Sequence, residues 1–282
     1  MKQKKLFVVL EQGNGTNCKL TETHKTQFTT SYSDCFRLNW EANKDDLLAD
    51  YYQDNIVHSE GRSMLFEKVK GQYEYYIFID DDVSFTSDTE KSEAEELKHF
   101  FETYKPITGT ISGIGTCTDW TWASYNKSQK HEKEAYCIMA HDLCVQYMRH
   151  DFAELMYPTI YHGCEQSMWY AELIGYKLHP QKCLAYNKVK IKNTRHVPHK
   201  DHQKSQFIVA HKLVKLFSKL LKNPQDAEFF LNFFKNSGKT NQKMYELNPI
   251  KDVVKISLND IGSLFNINSD DYKNRNWHSY LT

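Results

Sequence analysis

The chain has 282 residues, 40% of them hydrophobic and 14% aromatic, which is enough apolar material for a large core and excludes an intrinsically disordered protein. Lysine plus arginine and aspartate plus glutamate both number 36, a balance that argues neither for nucleic acid nor for a membrane surface as a partner. The seven cysteines are scattered and never spaced as CxxC, so they read as free thiols of a reducing compartment, not as a disulfide framework or zinc site.

The opening MKQKKLFVVLEQG has too few apolar residues after its lysines for a signal-peptide core or an anchor. No later run is long enough to span a bilayer, and the expectation is a soluble, cytoplasmic protein. The run from Lys5 to Leu10 predicts a short buried strand. The turn expected at Gly13-Asn14-Gly15 resembles no P-loop, because no Gly-Lys-Ser/Thr follows. Ser59 is placed to cap a helix running through Leu65 and Val69 to a stop at Gly71. Tyr75 to Ile79 is an unbroken apolar strand, suited to the centre of a parallel sheet covered on both faces, and it runs straight into Asp80, Asp81 and Asp82. Leu97, Phe100, Phe101 and Tyr104 fall at i, i+3, i+4 and i+7 and predict an amphipathic helix that Pro106 ends.

Further strands are expected from Ile107 to Ile114 and from Ala135 to Ala140, and a helix over about Gln166 to Gly175. Lys188, Lys190, Lys192 and Arg195 alternate on one face of another strand, a basic face that suits a diphosphate or simply solvent. This alternation of strands and helices predicts an α/β layer structure over residues 1–200. Helical spacing of Phe207, Ala210, Val214, Phe217 and Leu221, and the segment AEFFLNFF, predict a small helical C-terminal region over residues 201–282.

Three acids at the end of a buried strand are costly unless a cation meets them. In an extended chain, residues i and i+2 point to one side, so Asp80 and Asp82 face one ligand while Asp81 turns away or bonds the backbone. Converging carboxylates suit Mg²⁺ or Mn²⁺ carrying phosphate oxygens, and ligands of open parallel sheets bind beyond the carboxyl ends of the strands. An Asp-rich turn is the plain alternative.

The stretch SEGRSMLFEKVKGQYEYYIFIDDDV (Ser59 to Val83) resembles the donor half of nucleotide-sugar glycosyltransferases of the GT-A fold, where a helix bearing an arginine precedes a strand ending in a DxD motif. The resemblance implies a Rossmann-like, mainly parallel sheet flanked by helices. It implies that Asp80 or Asp81 approaches the nucleotide ribose or the metal, that Asp82 ligates the metal, and that Arg62 lies near the nucleotide or diphosphate. YHGCEQSMWYAELIGYKL (Tyr161 to Leu178) is similar to the acceptor-side segment of inverting members, which implies Glu165 as general base. The family more often has Glu-Asp there, and Gln166 stands in the second place here. TRHVPHKDH (Thr194 to His202) implies that His196 or His199 completes the metal shell, with His202 a third candidate. Trp120, Trp122 and Tyr125 suit either stacking on a sugar or core packing.

The implied activity is a metal-dependent, inverting transfer of a sugar from a nucleotide diphosphate donor to a saccharide or glycolipid acceptor in surface-glycan synthesis. The C-terminal helices would cover the site, touch the inner face of a membrane or pair subunits. Two alternatives stay open. Asp80, Asp82 and Ser84 satisfy the D-x-D-x-S of haloacid-dehalogenase-type phosphatases, although a strand and a helix precede them here. The other is a non-catalytic nucleotide- or carbohydrate-binding module.

Overall fold

The computed structural model of the protein describes residues 4–13, 18–40, 47–54, 56, 58–113, 134–137, 144–157 and 183–193. The apolar run after Lys5 forms β1 (Lys5–Gly13), in which Phe7, Val8, Val9 and Leu10 are all buried. Successive strand side chains point to opposite faces, so such a strand needs cover on both. Helices supply it. The chain passes from β1 through α1 (Cys18–Phe28) to β2 (Ser33–Asn39) and the short β3 (Tyr51–Tyr52). Then α2 (His58–Val69) carries it back past β1 to β4 (Tyr73–Asp80). After these come β5 (Val83–Ser87), α3 (Glu93–Tyr104), β6 (Thr108–Gly113) and β7 (Ala135–Cys137). The last described elements are β8 (Val145–Arg149), α4 (His150–Met156) and β9 (Cys183–Asn193).

The strands lie in the order β3-β2-β1-β4-β8-β6-β9-β5, with β7 also on β9. The first four are mutually parallel. Beyond them β8 runs antiparallel between β4 and β6, β9 is parallel to β6, and β5 and β7 are antiparallel to β9. The α/β expectation holds, with the parallel character concentrated in the N-terminal half. Winding proceeds from β1 to β2 on one side and resumes at β4 on the other, so it reverses between β1 and β4. In doubly wound sheets that reversal opens the crevice where ligands sit. Here its walls are Gln12 and Asp80, paired across the two strands.

On one face, α1 and α3 cover Phe7, Val9, Tyr75, Ile77 and Ile79. Tyr75 stacks on Phe101 at 4.1 Å and 12°, and Phe100 stacks on Tyr186 of β9 at 4.5 Å. On the other face Phe66 of α2 meets Tyr76 edge-on at 4.9 Å, and Tyr157, just past α4, lies 4.8 Å from Phe78. Each such ring contributes roughly 2–3 kcal/mol on burial, far more than local propensity, so packing sets where these helices lie.

The predicted amphipathic helix is α3. Ser92 and Glu95 form a reciprocal capping box at its start, and Lys105 takes a left-handed conformation (φ 45°) at its end, immediately before Pro106. Gly71 has φ +78°, which fits its expected place beyond the C-terminus of α2. The predicted cap at Ser59 is corrected: α2 opens at His58, and Ser59 is buried in its first turn, its carbonyl accepting from Ser63 Oγ at 2.9 Å. Cys35, Cys144 and Cys183 are buried free thiols. Among the described residues no helix is long and apolar enough to cross a membrane. The helix expected from Gln166, the boundary near residue 200 and the helical C-terminal region lie outside the described residues.

Candidate active site

The three aspartates stand at the carboxyl end of β4, where the central apolar strand reaches the crevice. Asp80 closes the strand, and its N–H donates to the Cys144 carbonyl at 3.1 Å. His58 and Arg62, one helical turn apart on α2, converge on its Oδ1: His58 Nε2 at 2.8 Å and Arg62 Nη2 at 3.2 Å. Burial would push the Asp80 carboxyl up, but His58 and then Arg62 outweigh it and bring its pKa down to about 2. Asp80 is therefore an anion, and the facing Nε2 of His58 carries the proton between them. Arg62 is fully buried, its guanidinium 5.9 Å from the centre of the Phe78 ring, so it is no ordinary surface arginine.

Asp81 turns to the opposite face, as alternation predicted. Its Oδ2 lies 3.6 Å from Nη2 of Arg37, a buried arginine on β2. Arg37 also pairs with Glu11 of β1 and donates to Thr21 Oγ1 at 2.6 Å. Glu11 in turn accepts from Thr21 and from His24 Nδ1 at 2.8 Å, both on α1. Burial raises the Glu11 carboxyl, but His24, Arg37 and Thr21 together hold it below its ordinary value. Gly13 completes this corner. A Cβ there would sit 1.9 Å from Asp81 Oδ2, so the tip of β1 must lack a side chain for Asp81 to fold over it.

Asp82, partly buried, lies in the turn between β4 and β5. The register of β5 on β9 pairs Val83 with Asn193, so β9 ends beside this turn. Lys188 and Lys192 are exposed on β9, whereas Lys190 is engaged with the Asn187 carbonyl at 2.7 Å and with Asp88 at 3.5 Å. The basic strand face is thus in part structural. Glu165, Gln166, Trp120, Trp122, Tyr125, Arg195, His196, His199 and His202 lie outside the described residues.

The crevice also gathers residues that sequence reading passed over. Trp40, following β2, donates its backbone N–H to the Gly13 carbonyl at 3.0 Å and presents its ring edge-on to His58 at 6.0 Å. Gln12 is buried with its carboxamide against α2, where Gly61 leaves room: a Cβ on Gly61 would lie 2.5 Å from Gln12 Oε1. The available signal for His58 was its spacing of four from Arg62; Glu11 and Arg37 announced themselves only as charges inside otherwise apolar strands.

The donor chemistry at the strand end fits a hard divalent cation. Both contacts on Asp80 fall on Oδ1, and the nearby acids offer carboxylate oxygens. Among the described residues no three His, Cys, Asp or Glu side chains gather into a metal cage. A Mg²⁺ or Mn²⁺ held by one or two carboxylates and by substrate phosphates needs none.

Reversed winding at β1/β4, with acids at that point, makes this a doubly wound α/β sheet, and the solved structures it is similar to place the fold in the GT-A type. No protein-family model matches the sequence, and no curated protein matches it. Among solved structures the chain is similar to TarS of S. aureus, at a TM-score of 0.56 and 12% identity over 82% of this chain. It spans 43% of the TarS chain. It is also similar to TarS 1–349 in complex with UDP-GlcNAc (TM-score 0.52, 10% identity, 82% of this chain and 72% of that one). GalNAc-T7 with UDP, GalNAc and Mn²⁺ is a further neighbour (TM-score 0.53, 12% identity, 94% of this chain and 59% of that one). At these identities the likeness is one of fold.

Proposed function

We propose that the chain is a metal-dependent glycosyltransferase that moves a sugar from a nucleotide diphosphate donor to a saccharide or glycolipid acceptor, with inversion, in surface-glycan synthesis. The observation that carries this reading is the Asp80–His58–Arg62 cluster at the β1/β4 crevice of a GT-A fold. Uridine nucleotides come first as donors, because neighbouring structures of this fold were solved with UDP or UDP-GlcNAc.

In this reading Arg62 and His58 hold Asp80 ionised and aimed at the crevice, where Asp80 and Asp81 border the nucleotide. Asp82 would hold Mn²⁺ or Mg²⁺, with His196 or His199 as a further ligand. When bound, the cation supplies a positive charge that offsets the charge developing on the departing diphosphate. Glu165 takes the proton of the acceptor hydroxyl as its oxygen bonds to the anomeric carbon. The bond from that carbon to the diphosphate oxygen breaks, and its electron pair leaves with the nucleotide. The protein works in the cytoplasm, with peripheral contact to the inner face of a membrane or self-association through its C-terminal region.

Calorimetry of UDP, with and without Mn²⁺, tests the reading. Wild-type protein should bind in a Mn²⁺-dependent manner, and Asp82→Ala should bind with no such dependence. A panel of nucleoside diphosphates that shows no Mn²⁺-dependent binding would sink the proposal.

A further inference from the structure

Arg37 and Arg62 are both fully buried, and they approach consecutive aspartates from opposite faces of the sheet. Arg62 has an evident task on Asp80. Arg37 already has a carboxylate partner in Glu11, on the neighbouring strand, and a hydroxyl acceptor in Thr21. Those contacts alone would satisfy a structural ion pair. Yet its second terminal nitrogen, Nη2, lies 3.6 Å from Asp81 Oδ2, outside a hydrogen bond but within direct charge attraction. Glu11 alone would repel Asp81, so Asp81 can fold back over β1 only with that guanidinium between the two acids. Gly13 supports the same conclusion independently, since a side chain there would fill the space that the Asp81 carboxylate occupies.

We propose that Arg37 is a positioning residue for the aspartate turn: held by Glu11 and Thr21, it tethers Asp81 to the α1 face and thereby sets the direction in which Asp80 and Asp82 leave β4. The inference rests on reading that turn as the donor site. Asp80 is anchored on the α2 face by His58 and Arg62, and Asp81 on the α1 face by Arg37. With both anchored, the backbone entering Asp82 has little freedom, and the carboxylate meant for the cation is preorganised.

A double-mutant cycle on Arg37→Met and Asp81→Asn tests this, with two readouts. The first is hydrogen exchange of the segment from Phe78 to Phe85 in ligand-free protein. The second is the Kd for UDP with Mn²⁺. Each single variant should speed exchange at the turn and weaken UDP binding about tenfold, and the double variant should be no worse than either single one. Arg37→Lys, which keeps the charge, should recover part of both effects. If Arg37→Met fails to fold because Glu11 is left unpaired, Glu11→Gln with Arg37→Met takes its place in the cycle. Additive penalties, or unchanged exchange at the turn, overturn the tether. If wild-type protein binds no UDP, the donor-site reading fails, and the exchange cycle alone then decides whether Arg37 positions the turn.

Discussion

Asp80→Asn should remove a share of stability that depends on acid. The Asp80 carboxyl has an ordinary pKa of 3.8 and falls to about 2 in the folded protein, because His58 and Arg62 outweigh the opposing effect of burial. A depressed folded pKa stabilises the native state fully above the unfolded value, and this contribution is lost as pH falls from about 4 through about 2. Nearly two units at about 1.4 kcal/mol each set a ceiling of ~2.5 kcal/mol. The side chain is 29% exposed, so water screens the cluster and about 1–2 kcal/mol is the expected share. Urea unfolding of wild-type and Asp80→Asn protein, from about pH 5 to about pH 2, isolates it. Glu11, Glu96 and Asp151 are also held below their ordinary values, but they titrate in both proteins and cancel in the difference. The stability gap should narrow by about 1–2 kcal/mol as the pH drops. A gap that stays flat across that range would refute the assignment of His58 and Arg62 as partners of an ionised Asp80.

Three other substitutions probe the frame around the site. Phe100 is fully buried against Tyr186, and Phe100→Ala should cost about 3–5 kcal/mol in thermal or urea unfolding, with the loss reported by both near- and far-ultraviolet dichroism. Gly61→Ala drives a methyl against Gln12 Oε1, the far end of a flexible side chain, so the shift that side chain must make offsets the helical gain of alanine and urea unfolding should show a net change below about 1 kcal/mol; Gly61→Ala/Gln12→Ala should be no less stable than Gln12→Ala alone. Ser92→Ala removes the capping box of α3 and should lower stability by about 1 kcal/mol, seen as a shift in Tm.

What could be read from the sequence divides along a physical line. β1, β4 and α3 were legible because each buries apolar residues at its own period, in an unbroken run for the strands and at i, i+3, i+4 and i+7 for the helix. α1 and β2 were not. The face of α1 turned to the sheet is Thr21, His24 and Phe28, two of them polar, and β2 carries Arg37 and Asn39 inward. A pattern that equates inward with apolar cannot see such elements. β5 and β8 are five residues each and owe their place to partners distant in the chain: β9 for one, β4 and β6 for the other. At the site, the strand-end acids and Arg62 were legible through their neighbours in sequence, whereas His58, Trp40 and Arg37 became partners only when α2 and β2 met at the crevice.

The failures of pattern reading and the location of the site coincide for one reason. Replacing a buried ion pair by apolar residues of similar volume is often neutral or stabilising, so the Glu11–Arg37 pair with His24 and Thr21 is poorly explained as a device for holding α1 to β1 and β2. Leucines at those positions would hold them at least as well, and would have made both elements legible. What leucines cannot do is present a fixed positive charge at the tip of β1 to Asp81 on the α1 face, just as Arg62 presents one to Asp80 from the other face. Local rules give way where a site must be built, and polarity buried beneath the carboxyl ends of β1 and β2 is the trace it leaves in the sequence.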